Sequence, residues 1–454
     1  MTYGKILLLK YRSFYIVRNT NYLRALNYLS QFNTRTMNRT NGLHHQIMQD
    51  LLNLFSIRPH DFKLVQITGS CGKGSTAHFI SSILSYHSYR HGLFTGPHLN
   101  RYEERFMCNG EMIEQDEFSA IVLEVEKKLS GYHYEQEVGH MHVMIVIALL
   151  FFQRKGIDLI IFENGVGGKA DPSNIFDPII AVLTEITLDH SHLLGSTIEE
   201  IIIDKSCIIK DSTKYVICGM NNVQARNYLL KIEAHDPAAF LFFNRDYVNL
   251  IKQADETGST FHFKSEHLLL ENIDLSLIGT HQVQNASNAL AVIEAFIRLG
   301  YEFNEYMIHS ALKSVHIPCR MEILEKNGVK FLFDGAHNIL EMKTLKKNID
   351  SLGLPISTVI LSISSNKDIA RMLQAIEIAN ATYIVTPHPF LERNISRREI
   401  EEAFQTFETN NYMYNLNLED TIKSIYENTK GNTFILVTGS LYLVGYVKSI
   451  FFPD

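Results

Sequence analysis

The stretch Leu64-Val-Gln-Ile-Thr-Gly-Ser-Cys-Gly-Lys-Gly-Ser-Thr76 concentrates residue types that grip phosphate. Gly69, Gly72 and Gly74 let backbone N–H groups curl around phosphate oxygens, and Lys73 adds a mobile positive charge. Ser75 offers a hydroxyl to magnesium, and Thr76 continues into a helix start whose N-terminal dipole favours anions. The spacing is not the common G-x-x-x-x-G-K-[ST] form, because Gly69 lies only three residues before Gly72 and Gly74 separates Lys73 from Ser75. ATP or a close relative is the expected ligand. The bland alternative is an ordinary glycine turn, and a lysine and a serine placed so soon after it argue against that.

Further candidates follow the ends of apolar runs. Glu163 closes the run Ile157–Phe162 and precedes Asn164-Gly-Val-Gly-Gly-Lys-Ala-Asp-Pro-Ser-Asn174. A carboxylate at the carboxyl end of a parallel strand faces the ligand crevice, where it can take magnesium directly or through water. A solvated acid at the start of a glycine loop is the competing reading. Asp189-His190 follows the run Ile179–Leu183, and for His190 a metal ligand and a satisfied structural histidine are both open. Lys205 lies in the helix-like stretch Thr197–Lys210, where lysines ordinarily face water. Arg320 and Asp334-Gly-Ala-His337-Asn338 lie further on, and each alone reads as structural.

Such residues need a scaffold that gathers loop ends. Short apolar runs at Leu64–Thr68, Leu159–Phe162, Ile179–Leu183, Tyr215–Cys218, Phe331–Phe333, Thr358–Ile363, Tyr383–Val385 and Phe434–Thr438 alternate with helix-like stretches. Parallel strands buried on both faces lose the two-residue alternation and read this way, so the fold class is α/β with a mainly parallel sheet. Between Val248 and Ile278 the pattern shifts toward alternation, which predicts a small antiparallel excursion. His316-Ile-Pro318 interrupts a helical stretch, and a second strand-helix series follows, so the domain boundary is placed there.

Composition narrows the class. At 454 residues the chain exceeds one ordinary core, and two domains are expected. A net charge of −7, without evident Lys/Arg clusters, argues against nucleic acid as the main partner. Cys71, Cys108, Cys207, Cys218 and Cys319 are scattered and lack C-x-x-C spacing, so neither a disulfide framework nor a zinc site is indicated and a reducing cytoplasm is expected. Lys5–Lys10 is too short for a secretory core, and Val143–Phe152 falls short of the ~20 residues that cross a bilayer, so no membrane partner is expected. Val143–Phe152 reads as a buried helix.

Taken together, these residues resemble the folylpolyglutamate synthase and dihydrofolate synthase family within the wider Mur ligase group. The resemblance runs from about Tyr22 to the C-terminus. It rests on Gly69–Ser75, Gly92–Leu99, Arg101 to Arg105 with its two glutamates, and Glu163 to Asn174. Leu188-Asp-His190 with Leu194-Gly195, Lys205 with Ile208-Ile-Lys210, His281–Asn285, Asp334–Asn338 and Val437–Leu443 continue it in order. It implies a P-loop-type central domain over residues 22–315 and a C-terminal Rossmann-like domain over 316–454, with residues 1–21 an extension of unassigned role.

The activity implied is ATP-dependent addition of L-glutamate to a folate carboxylate through an acyl phosphate, with dihydropteroate as a further acceptor. Gly69, Gly72, Lys73, Gly74, Ser75, Thr76, Asn285, Arg320 and Asp334 match nucleotide contacts. Ser75, Glu163, His190 and Lys205 match magnesium ligands, Lys205 being the lysine that carbon dioxide carboxylates, and Lys73, Lys205 and His337 are the catalytic candidates. A monomer suffices, since both halves of the site lie on one chain. Departures bear on the acceptor. Cys71 replaces a common Asn, Gly96 a metal-binding Ser, Lys169 an Arg, Ile339 a Pro, and Met141-His142 with Ile145 a Phe-Glu pair and a Thr on the substrate side. Two other readings stay open: a Mur-type amide ligase for a different carboxylate, and a non-catalytic nucleotide-binding paralogue.

Overall fold

The apolar runs form the centres of two sheets. The computed structural model describes residues 19–32, 35, 42–365, 367–387, 395–405, 411–414, 418–429 and 433–453; Lys5–Lys10 and most of the 1–21 extension lie outside them. The first sheet has eight strands: β1 (Lys63–Thr68), β2 (Gly92–Phe94), β3 (Phe106–Cys108), β4 (Glu111–Met112), β5 (Leu159–Glu163), β6 (Ile180–Leu183), β7 (Tyr215–Cys218) and β8 (Ala239–Phe242). Their order is β4-β3-β2-β5-β1-β6-β7-β8, with antiparallel pairing only at β2-β3 and β3-β4. The parallel strands β5 and β6 are buried throughout, as their lack of alternation requires. Successive crossovers run from β1 toward β2 and β5 on one side and toward β6 on the other. The carboxyl end of β1 is therefore a switch point, where such sheets open a crevice.

A second, antiparallel sheet joins β9 (Val248–Asp255), β10 (Gly258–Lys264) and β11 (Leu269–Leu275) in the order β11-β10-β9. Phe261 and Phe263 alternate inward from it and are fully buried against the Thr280–Arg298 helix side of the core. The third sheet comprises β12 (Glu322–Lys326), β13 (Val329–Phe333), β14 (Ile356–Leu361), β15 (Thr382–Val385), β16 (Tyr412–Tyr414) and β17 (Phe434–Thr438). Its order is β12-β13-β17-β14-β15-β16, antiparallel only at β12-β13.

The His140–Arg154 helix is buried at every position from His142 to Phe152, so its apolar surface on all sides belongs to a core. Among the described residues no helix is long and apolar enough to cross a membrane. The helix expected over Thr197–Lys210 is shorter, Ile198–Ser206. Thr197 and Glu200 form its capping box, and after Cys207 the chain turns through Ile208 and Ile209.

Candidate functional site

The loop after β1 is held open by neighbours that leave no room for side chains. Gly69 has φ 153°, and a Cβ there would lie 1.9 Å from Thr184 Oγ1. Thr184 uses that hydroxyl to donate to the Cys71 carbonyl at 2.7 Å, while the Ser70 amide donates to the Glu185 carbonyl at 2.8 Å. Gly72, with φ 81°, caps the Lys73–Tyr86 helix, and its Cβ would sit 2.2 Å from Asn285 Oδ1. Thr76 is fully buried, and its hydroxyl donates to the Asn285 carbonyl at 3.4 Å. Thus Asn285, far away in sequence, is locked onto the start of this helix.

Two lysines meet at one oxygen. Lys73 Nζ donates to the Gly69 carbonyl at 3.2 Å, and Lys205 Nζ donates to the same carbonyl at 2.8 Å. Lys205 is buried at 3% exposure rather than facing water. Burial first, and then the charge of Lys73, lower its pKa to about 7, so the amine titrates near neutrality.

Glu163, at the end of β5, is buried, and its Oε2 accepts from Thr95 Oγ1 at 2.5 Å and from the Gly96 amide at 3.1 Å. The same oxygen lies 3.2 Å from where a Gly74 Cβ would stand, so the carboxylate adjoins the glycine loop. Ser75 is buried beside them on the first helical turn. His190 adopts φ 51° with Nε2 3.7 Å from Asp189 Oδ2. Burial lowers its pKa to about 4, with Asp189 opposing and Lys367, Lys73 and Lys205 adding to the shift, which leaves a neutral imidazole.

The third sheet supplies the opposite wall. Asp334 follows β13; its two oxygens accept from the Met321 and Ala336 amides, each at 2.9 Å, and burial raises its pKa to about 6. Arg320 Nη1 lies 3.4 Å from a Cβ placed on Gly335. His337 Nδ1 pairs with the Gly335 carbonyl at 2.9 Å and lies 3.1 Å from Glu341 Oε2. Side chains span the halves: Lys367 donates to Asp189 Oδ1 at 2.8 Å, Asn338 Nδ2 donates to Asp189 Oδ2 at 3.5 Å, and Asn348 Nδ2 pairs with His281 Nδ1 at 3.2 Å. A cleft of about 1130 Å³ is lined by Gly72, Lys73, Gly74, Ser75, Glu163, His190 and Asn285 from one side and by Arg320, Asp334 and His337 from the other. Lys205 reaches this region from beneath the loop.

Lys367 and Thr95 escaped the sequence reading, although each follows the carboxyl end of a strand, β14 and β2. His142 requires a correction. Its ring is fully buried: Nδ1 accepts from the Gly139 amide at 3.0 Å and Nε2 pairs with the His44 carbonyl at 3.1 Å, so it caps its own helix instead of facing substrate. Met141 alone of that pair reaches the loop, with Sδ 3.3 Å from a Gly165 Cβ position. Ile145 is fully buried as well.

Comparison with known proteins matches this architecture. The Mur ligase middle domain family matches residues 67–293, and the Mur ligase glutamate ligase domain family matches residues 319–441. A dihydrofolate synthase/folylpolyglutamate synthase of Bacillus subtilis is 29% identical over 392 residues, covering 84% of this chain and 89% of that protein. The structure of folylpolyglutamate synthase from Thermotoga maritima aligns with a TM-score of 0.78 at 27% identity, covering 95% of this chain and 96% of the other. A Mycobacterium tuberculosis folylpolyglutamate synthase complexed with ADP shares the fold, with a TM-score of 0.85 at 22% identity and coverage of 96% and 99%. With the middle-domain match spanning half of the chain, this protein belongs to the Mur ligase family, in which its matched relatives are the folylpolyglutamate and dihydrofolate synthases.

Proposed function

We propose that this chain joins L-glutamate to a folate carboxylate at the expense of ATP, releasing ADP and phosphate, with dihydropteroate as a further acceptor. The observation that carries the reading is the convergence of Lys73 and Lys205 on the Gly69 carbonyl beside Glu163, within a cleft whose other wall carries Arg320, Asp334 and His337. Relatives named for this activity match most of the chain, and one neighbour is an ADP complex.

In this reading the loop Gly69–Thr76 binds the phosphates through backbone N–H groups and Lys73, and Asn285, Arg320 and Asp334 hold the rest of the nucleotide. A carboxylate oxygen of the acceptor attacks the γ-phosphorus, the bond to the β-bridging oxygen breaks, and ADP leaves an acyl phosphate. The glutamate amine then attacks the acyl carbon, His337 Nε2 takes a proton from it, and the C–O bond to phosphate breaks. Holding both reactants in one cleft supplies the alignment this requires.

The donor set fits magnesium. Glu163 and Ser75 are oxygen donors, and His190 is a neutral imidazole. Among the described residues no three His, Cys, Asp or Glu side chains of this cleft bring ligand atoms within 4.8 Å of one another. Magnesium suits such a sparse set because it keeps water and borrows phosphate oxygens. When bound, the ion would neutralise phosphate charge, with Lys205 contributing once carboxylated; its near-neutral amine is the form that adds carbon dioxide. We place the boundary between the two domains at residues 315/316 and the protein in the cytoplasm as a monomer.

The test gives purified protein ATP, magnesium, L-glutamate and either tetrahydrofolate or dihydropteroate, and follows phosphate release. Absence of folate-dependent release refutes the reading, and release with another carboxylate assigns a different acceptor. Lys73→Ala is expected to abolish turnover, and undiminished turnover would overturn the loop assignment.

A further inference from the structure

The helix Ile339–Leu352 starts on a reciprocal cap that also holds the ring of a catalytic candidate. Asn338 Oδ1 accepts the Glu341 amide at 3.0 Å, and Glu341 Oε2 reaches back to accept the His337 amide at 3.0 Å. The same Oε2 lies 3.1 Å from His337 Nδ1, which pairs with the Gly335 carbonyl at 2.9 Å. Capping needs only the backbone contacts, so the approach of a carboxylate to the ring is a separate feature. Both residues line the cleft, and the His337 side chain is 36% exposed.

Glu341 is an anion at neutral pH. Desolvation pushes its pKa up, but His337 and Arg320 outweigh that and hold it below its usual value. Carbonyl and carboxylate oxygens only accept, so the ring proton belongs on Nδ1 and the neutral ring keeps its lone pair on Nε2. Other titratable or charged groups face the pair from several elements: Arg320 before β12, Asp334 after β13, His281 on the Thr280–Arg298 helix, and Cys71 and Asp189 from the first half.

We propose that Glu341 is a positioning residue for ligation, an assignment that rests on the ligase reading above. Its carboxylate holds the His337 ring at Nδ1 and steadies the positive charge that the ring acquires when Nε2 takes a proton from the attacking amine. The N–H bonding pair stays on the amine nitrogen, the ring becomes an imidazolium with a proton on each nitrogen, and no proton passes to Glu341.

The experiment follows phosphate release against pH for wild type, Glu341→Gln and Glu341→Ala. Glutamine keeps the cap and an acceptor oxygen but loses the charge. The rate climbs with pH as the base gives up its proton, and a carboxylate beside the ring delays that loss. Without the charge, the acid limb of the kcat profile is expected to move about one pH unit lower in both variants, while the plateau kcat falls about 10-fold. The KM for ATP is expected to stay within about twofold. The surrounding groups are common to all three proteins, so the difference reports position 341. A residue that only caps the helix would lower the urea midpoint of Glu341→Ala and leave the limb in place. An unmoved limb in Glu341→Gln of an active enzyme therefore overturns this assignment alone. A second measurement needs neither a variant at 341 nor turnover: nitrogen-15 NMR of histidine-labelled wild type, with the His337 signal identified by its loss in His337→Gln. A neutral ring protonated on Nδ1 is expected, and one protonated on Nε2 overturns the assignment. Wild type with the expected ring but no folate-dependent phosphate release overturns the ligase reading, and with it the catalytic use of the pair.

Discussion

Replacing Gly72 with alanine is expected to damage the protein in two ways that can be separated. The residue has φ 81°, and an L-residue there pays roughly 1–2 kcal/mol. The new Cβ would also fall 2.2 Å from Asn285 Oδ1, so Asn285 must turn away. It is buried, and its Nδ2 donates to Gln282 Oε1 at 3.0 Å, a bond worth about 1 kcal/mol. The sum for Gly72→Ala is roughly 2–3 kcal/mol. Urea midpoints at constant slope measure it, and the KM for ATP is expected to rise because loop and Asn285 shift together. Asn285→Ala alone should cost about 1 kcal/mol by losing the Gln282 bond. In the double variant the collision is gone, so the combined cost should fall short of the sum of the singles by about 1 kcal/mol. Additivity within about 0.5 kcal/mol would refute the claim that Asn285 is what forbids a side chain at position 72.

Thr95→Val keeps the shape of the side chain but removes the donor to Glu163; the magnesium concentration for half-maximal phosphate release is expected to rise about tenfold, and an unchanged value would separate Glu163 from the ion. Glu322 is paired with Lys448 at 2.8 Å and with His316, and its pKa stands at about 2 because those donors outweigh the burial that opposes them. A carboxyl depressed on folding contributes stability above its ordinary pKa and loses it as pH falls toward the folded value. Between about pH 4.5 and 2 the wild type should therefore lose roughly 1–3 kcal/mol more than Glu322→Gln, after allowing for solvent screening, in acid unfolding followed by circular dichroism. Phe162 is fully buried, stacked on Phe94 at 4.7 Å and edge-on to Phe176 at 5.1 Å directly before Glu163. Phe162→Ala is expected to cost about 3–5 kcal/mol, and a loss near 1 in denaturant titration would show that the site collapses to fill the cavity.

The parts of this molecule legible in sequence are those whose cause is local. Apolar runs marked the central strands because burial on both faces removes alternation, and glycines after β1 marked a loop whose φ values only glycine adopts freely. Lys205 was half-legible. It stands four residues after Ile201 and three after Ile202, both buried, so it shares the apolar face of its helix, and that spacing was a signal that it points inward. Lys367 carried no such mark, because its partner Asp189 belongs to the other sheet and only the fold brings them together. His142 misled for the opposite reason. Its place in a family pattern suggested a substrate wall, while its spacing from Gly139 is that of a helix cap, and the capping bond with the His44 contact draws the ring into the core.

Gly96 shows why a missing side chain cannot be read one residue at a time. In sequence it is a lost hydroxyl and so a weakened metal site. In space its amide donates to Glu163, while the guanidinium of Arg105 packs into the volume a Cβ would take. A serine or alanine at 96 would have to displace Nη1 from 2.7 Å, and with it the hydrogen bond from Nε to His98. The glycine and the buried arginine are therefore one packing feature, and a side chain at 96 is expected to cost stability by displacing the guanidinium.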